Sequence, residues 1–317
     1  MNEHLRYRVN PLSEDKLQLN RNFLKAVIKN DVTKVVNYLN IGAQVDARVD
    51  KGNRTALMIA ATKGYTGVLE VLLSRGAAVH ATDGNGNFAI HLATIHGHLE
   101  CIQLLMNKRS LANVGNSNFL NPLMLAAKHG HVRIVKYLLK RGVSTSYQLN
   151  KFMESELTLA VRKGCSRVIQ LLLKIANPNL DRTAELNRAL SIAISLGRLK
   201  TSKVLIKFGA DLNSIDEDTK SSINLAILRS NLDFADRRIS NPDHIFGLTP
   251  LMCAIQMERV DIVRSLIEAG ADIHARCGNT GRTALEMARN AKNKDIQKVF
   301  EKELSTNIGE CRSPTIP

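Results

Sequence analysis

Thr55-Ala-Leu-Met-Ile-Ala-Ala61, with Gly64 three residues beyond it, returns at a nearly fixed interval along the chain. Its relatives are Ala89-Ile-His-Leu-Ala93 with Gly97, Pro122-Leu-Met-Leu-Ala-Ala127 with Gly130, and Leu157-Thr-Leu-Ala160 with Gly164. Ala189-Leu-Ser-Ile-Ala193 with Gly197, Ser222-Ile-Asn-Leu-Ala226, Thr249-Pro-Leu-Met-Cys-Ala254 and Thr283-Ala-Leu-Glu-Met-Ala288 complete the series. With Leu57, Ile90, Leu123, Leu157, Leu190, Ile223, Leu251 and Leu285 as anchors, the intervals are 33, 33, 34, 33, 33, 28 and 34 residues. A degenerate copy around Phe23, with Ala26 in the alanine position, precedes Leu57 by 34 residues. Nine copies in register indicate a repeat architecture.

Each copy has a second half. Val68-Leu-Glu-Val-Leu-Leu73 is followed by Gly76, Ile134-Val-Lys-Tyr-Leu-Leu139 by Gly142, Val204-Leu-Ile206 by Gly209, and Ile262-Val-Arg-Ser-Leu-Ile267 by Gly270. Apolar residues there fall at helical spacing, which predicts an amphipathic helix. Thr55, Thr249 and Thr283 are placed to cap the first helix of their copies. Pro122 and Pro250 suit its first turn, where a missing N–H is harmless. Stretches such as Asp83-Gly-Asn-Gly86 predict tight turns between copies.

The combined pattern resembles the ankyrin repeat, whose family form runs Thr-Pro-Leu-His-x-Ala-Ala, a Gly turn, an Ile-Val-x-Leu-Leu-Leu helix and a Gly-Ala-Asp end. The resemblance covers about residues 20–304. It implies an all-α solenoid of about nine stacked helix–turn–helix units with projecting β-turn loops, and a role in binding a protein partner without cofactor or catalysis. Residues 1–19 then form an N-terminal extension and 305–317 a disordered tail. The seventh unit, about 217–247, departs most from the pattern. It lacks a Leu-Leu pair and a terminal Gly before Asn241-Pro242, which predicts a truncated second helix and a weak link in the array.

Composition agrees with close helix packing. The 317 residues are 44% hydrophobic but only 4% aromatic, with no Trp, so the core must be built from Leu, Ile, Val and Ala. No run of about 18 apolar residues occurs to span a membrane. Met1–Asn10 is polar and lacks the apolar stretch of a secretory signal. Cys101, Cys165, Cys253, Cys277 and Cys311 are scattered and form no CxxC pair, which predicts a reducing compartment, cytoplasm or nucleus. A monomer is expected.

Three sets of residues invite a functional reading. His91, His96, His98, His129 and His131 cluster along the sequence but show no metal-ligand spacing, and structural hydrogen bonding is expected of them. Leu205, Asp211 and Asn213 have the Leu–acidic–Asn spacing at which asparaginyl hydroxylation occurs in other ankyrin repeats, with turn hydrogen bonding as the ordinary alternative. The third set is electrostatic. The formal net charge is +15, and between Lys128 and Ala210 sixteen Lys and Arg face only Glu154, Glu156, Asp181 and Glu185. Ten, thirteen and seventeen residues after the anchors of the fourth to sixth units stand Arg133, Lys136 and Lys140, then Arg167, Gln170 and Lys174, then Lys200, Lys203 and Lys207. That spacing puts each trio on the outer face of its second helix. The eight cations predict a surface for an acidic protein partner. The competing readings are a polyanion, either nucleic acid or anionic membrane, and a merely solvated face.

Overall fold

The computed structural model describes residues 14–48, 52–107, 113–143, 149–152, 154–175, 182–214, 247–278 and 280–310. Among these the secondary structure is helical, apart from two isolated bridges, Arg48 with Thr55 and Arg276 with Thr283, which close turns between helix pairs. The chain divides into two compact units, Met1–Met153 and Glu154–Pro317.

The first unit holds four helix pairs: α1 Glu14–Ile28 with α2 Val32–Ile41, α3 Ala56–Lys63 with α4 Thr66–Ser74, α5 Ala89–His96 with α6 Leu99–Asn107, and α7 Pro122–His129 with α8 Val132–Lys140. The described residues of the second unit also form four: α9 Glu156–Lys163 with α10 Ser166–Ile175, α11 Thr183–Ser195 with α12 Leu199–Lys207, α13 Pro250–Gln256 with α14 Val260–Glu268, and α15 Ala284–Arg289 with α16 Lys294–Glu310. Both ends run past the expected limits of the array. α1 begins before residue 20 and α16 continues beyond 304.

The helix starts follow from side-chain chemistry. Thr55, Thr249 and Thr283 accept from the backbone N–H groups of Met58, Met252 and Glu286, and Asn121 and Ser155 do the same for Met124 and Thr158. Such a cap contributes about 1 kcal/mol. Thr283 is reinforced by its own N–H, which donates to Glu286 Oε2 at 3.0 Å. Pro122 and Pro250 occupy first-turn positions as the sequence predicts.

First helices pack on first helices through alanine. Ala56, Ala60, Ala61, Ala93, Ala126, Ala127, Ala160, Ala189, Ala193, Ala254 and Ala288 are wholly buried. Small side chains let the backbones approach, so α1, α3, α5 and α7 form one row and α9, α11, α13 and α15 another. Second helices supply the larger apolar groups: Ile134, Val135 and Leu138 from α8, and Val168, Ile169 and Leu172 from α10, are buried. In α12 the corresponding places hold Thr201, Ser202 and Leu205, so a polar pair is buried where its neighbours place two aliphatics.

Adjacent pairs are tied at the turn within each pair. Gly64 has φ +75°, and a Cβ on it would lie 2.5 Å from the His98 ring, so the residue must be glycine on two counts. His98 Nε2 donates to Thr62 O at 3.1 Å, His131 Nε2 to Ile95 O at 3.1 Å and Arg198 Nη2 to Arg162 O at 3.4 Å. Each of these bonds reaches back 36 residues. Arg259 Nη2 makes the same bond to Ser195 O at 3.4 Å but reaches back 64 residues, 28 more.

The extra 28 residues coincide in sequence with the seventh copy. The copy expected at 217–247 lies outside the described residues, so its truncated helix is not placed. The pairs on either side of it, α11–α12 and α13–α14, pack directly on each other. Asp272 N–H also donates to Asn213 Oδ1 at 2.9 Å, joining their loops. The nine copies in the sequence thus correspond to eight described pairs. The 61 positions from Leu190 to Leu251 comprise one 33-residue repeat and 28 further residues. The difference lies between two glycines: Gly76 and Gly86 are 10 apart, whereas the equivalent Gly209 and Gly247 are 38 apart. Removing residues 217–244 restores the spacing of 10. The shortened chain is expected to keep a single cooperative thermal transition with Tm within a few degrees of the parent. A broadened transition, or a Tm lower by more than 10 °C, would place those residues within the stack.

Candidate interaction surface

The outer faces of α8, α10 and α12 are built by the same periodicity that fills the core. When Ile134, Val135 and Leu138 turn inward, Arg133, Lys136 and Lys140 turn outward, and all three are exposed. In the second unit the exposed residues are Arg167 and Lys174 on α10, and Lys200, Lys203 and Lys207 on α12. α10 packs against α12, so these five share one face. The eight cations divide three and five between the two units. None of the eight is ion-paired to another described residue, and the three helices contain no acidic residue at all. α2 likewise has none, but the other second helices differ: α4 carries Glu70, α6 Glu100, and α14 Asp261 and Glu268.

The turns between pairs form fingers with a repeated hydrogen-bond scheme. Asp83 Oδ1 accepts from Asn85 N and Asn87 N, Asn116 Oδ1 from Asn118 N and Leu120 N, and Asn150 Oδ1 from Phe152 N. Neighbouring tips are joined through the backbone: Gly84 N–H donates to Gly52 O, Ser117 to Asn85 and Lys151 to Asn118, at 3.0 to 3.2 Å. Asn116 Nδ2 adds a bond to Asn87 Oδ1 at 2.8 Å in a buried position.

The histidines are absorbed by structure. Besides the turn bonds of His98 and His131, buried His91 accepts from Phe88 N–H at Nδ1 and donates through Nε2 to Val114 O at 2.9 Å. Burial pushes its pKa down to about 4, and the two bonds together need the neutral ring. His96 stacks on His98 and His129 on His131, with centroids 6.4 and 5.9 Å apart. Among the described residues no group of three or more His, Cys, Asp or Glu could hold a metal ion. Burial raises the Cys101 thiol to about 11, so it remains protonated. No helix among the described residues is long and apolar enough to cross a membrane.

Family models described as ankyrin repeats, in three copies and in many copies, match residues 67–149 and 223–308, and residues 38–93, respectively. The chain belongs to the ankyrin-repeat family. It is also similar to Rabankyrin-5 of Homo sapiens, at 28% identity over 117 residues, and of Mus musculus, at 26% over 117 residues. In both cases the match takes in 35% of this chain and 10% of the relative, so the chain spans about a tenth of those proteins.

Two features of this ankyrin array were not both visible in its sequence. Asn213, the hydroxylation candidate, is exposed; its N–H donates to Asp211 Oδ1 and its side-chain oxygen accepts from Asp272 N–H, both at 2.9 Å. It thereby ties α12 to the pair after it. The second feature is an acidic cluster at the start of α9. Glu156 takes the first-turn position held by proline in α7 and α13, and is buried. Beside it, Ser155 Oγ donates to Glu185 Oε1 at 2.6 Å, and Arg182 pairs with Glu185 at 3.0 Å. Nothing in the repeat spacing signals this cluster; the one clue is a Glu where the family pattern has Pro.

Burial, together with the nearby Glu185 charge, raises the Glu156 pKa to about 7 from an ordinary 4.5. A raised folded-state value means stability that is fully present below pH 4.5 and lost as pH rises through 7. Glu156→Gln should therefore stabilise the array at pH 8, by on the order of 2–3 kcal/mol for a shift of this size, and have little effect at pH 4. Thermal melts of parent and variant across pH 4–8 check this; an equal Tm difference at both ends would remove titration of Glu156 as its cause.

Proposed function

We propose that this chain is a protein-interaction scaffold whose basic outer helices engage an acidic partner. Ankyrin arrays are interaction modules, and that supports the coarse reading. The finer one rests on a single observation: α8, α10 and α12 expose Arg133, Lys136, Lys140, Arg167, Lys174, Lys200, Lys203 and Lys207 with no carboxylate interspersed. Stability gives no reason to align like charges, since their mutual repulsion opposes folding. An anionic partner relieves that repulsion. Screening at physiological salt acts over about 8 Å, comparable to the spacing of packed helices, so charges on α10 and α12 reinforce one another.

A reducing compartment, cytoplasm or nucleus, fits the reading, because the five cysteines are scattered along the sequence and form no CxxC pair. The second reading, a polyanion, shares the same cations and is separated by experiment. Poly-glutamate, duplex DNA, RNA and anionic vesicles can be titrated against the full chain across a salt series. Lys136→Glu, Lys174→Glu and Lys203→Glu combined should weaken poly-glutamate binding at least tenfold and flatten its salt dependence, while helicity and Tm stay nearly constant. Equal binding by parent and triple variant at low salt would reduce the stripe to a solvated face. A far stronger, salt-steep response to DNA, RNA or vesicles would favour the polyanion.

A further inference from the structure

The fingers differ at one place where the backbone is most demanding. Asn53, Gly86, Phe119, Gly247 and Gly281 occupy the left-handed position of their tips, with φ of 58, 71, 58, 71 and 65°. Gly and Asn accept that conformation readily; a bulky L side chain does not. Phe119 nevertheless stands there, and the turn holds it firmly. Its N–H donates to Asn116 O at 2.8 Å, and Asn116 N–H donates to Leu120 O at 3.1 Å. Gly115 comes so close that a Cβ on it would lie 2.8 Å from the Phe119 Cα.

Burial does not offset the strain, because Phe119 is 62% exposed. The core gains almost nothing from the ring, and glycine would serve the turn better. Strain retained with no structural return marks a functional position. The adjoining tip, bonded to this one through Lys151 N–H and Asn118 O at 3.0 Å, presents exposed Lys151 and then Phe152, itself 37% exposed.

We propose that Phe119, Lys151 and Phe152 form a docking site for an extended partner segment that carries an apolar side chain next to a carboxylate. The rings supply apolar area on a pre-formed turn, and the ammonium of Lys151 pairs with the acid. Exposed aromatic residues held rigid are the usual energetic centres of interfaces. A single-stranded nucleic acid would also stack on the rings, but it brings a phosphate with every base. Among residues 116–120 and 149–152, Lys151 is the sole cation. A second copy of the chain fits poorly, since these tips offer it no carboxylate. The inference rests on the interaction-scaffold reading but is independent of the basic helices.

A random twelve-residue peptide library displayed on phage, panned over the full chain, tests it. Enriched peptides should carry an apolar residue within about three positions of Asp or Glu. Synthetic versions should bind Phe119→Gly and Lys151→Glu at least tenfold more weakly than the parent, and bind the Lys136, Lys174, Lys203 triple-Glu variant with unchanged affinity. Phe119→Gly should at the same time raise Tm, by roughly 2–4 °C for a unit of this size. Relief of strain coupled to loss of binding is a signature that a purely structural role cannot give. The site is refuted if the library yields no such class, if the peptides bind Phe119→Gly as tightly as the parent, or if only the triple variant loses them. Tight binding of a twelve-nucleotide oligo-dT that depends on Phe119 would equally overturn it in favour of nucleic acid. Failure of the basic-helix reading alone would leave these affinities untouched.

Discussion

A pair of helices eight or nine residues long has no core of its own, and everything else in this protein follows from that. Its apolar stripes can be buried only against the next pair, so stability is approximately a sum over pairs and the interfaces between them. The residue after each turn makes the join specific. His98, His131, Arg198 and Arg259 each reach back to a carbonyl of the preceding pair and satisfy a group that the helix end would otherwise leave open. Histidine and arginine serve alike because the join asks only for an N–H at the right distance. The glycine ahead of it provides the room.

This division of labour leaves the outer helix faces and finger tips unconstrained by the fold. Inward positions of α8 must be aliphatic, but Arg133, Lys136 and Lys140 could be any polar residues without affecting the packing beneath them. A uniform charge on such positions therefore carries more information than a charge in the core would. Phe119 is informative for the opposite reason: its backbone is constrained by the turn, and its side chain violates the preference that the constraint sets.

The fold was legible in the sequence because its signals are local and repeated. Buried alanines and turn glycines recur mostly every 33 or 34 residues, capping threonines mark three of the copies, and each does in the structure what its chemistry predicts. The outward direction of the eight cations was legible too, since three- and four-residue spacing suffices to place a helical face. What lies between repeats was not. Ile223-Asn-Leu-Ala226 lies outside the described residues, and only the 64-residue reach of Arg259 to Ser195 reveals that the pairs on either side of it pack on each other. Glu156 and its contacts with the Ser155, Arg182 and Glu185 group depend on which side chains two separate helices bring together. The left-handed backbone of Phe119 likewise depends on the alignment of its turn with those on either side. Neither has a period to betray it.

That α13–α14 packs directly on α11–α12, with 38 positions from Gly209 to Gly247 where Gly76 and Gly86 are 10 apart, has an energetic consequence for how such an array can change over time. Joining two packed pairs grows costlier only with the logarithm of the chain length between them, so a join of about 38 residues in place of about 10 costs at most on the order of 1 kcal/mol. A single buried aliphatic contact outweighs that. New sequence can therefore enter at this connection at small thermodynamic cost, be tried for usefulness, and be discarded or kept. The finger loops of this protein are the part of the molecule where novelty is cheapest.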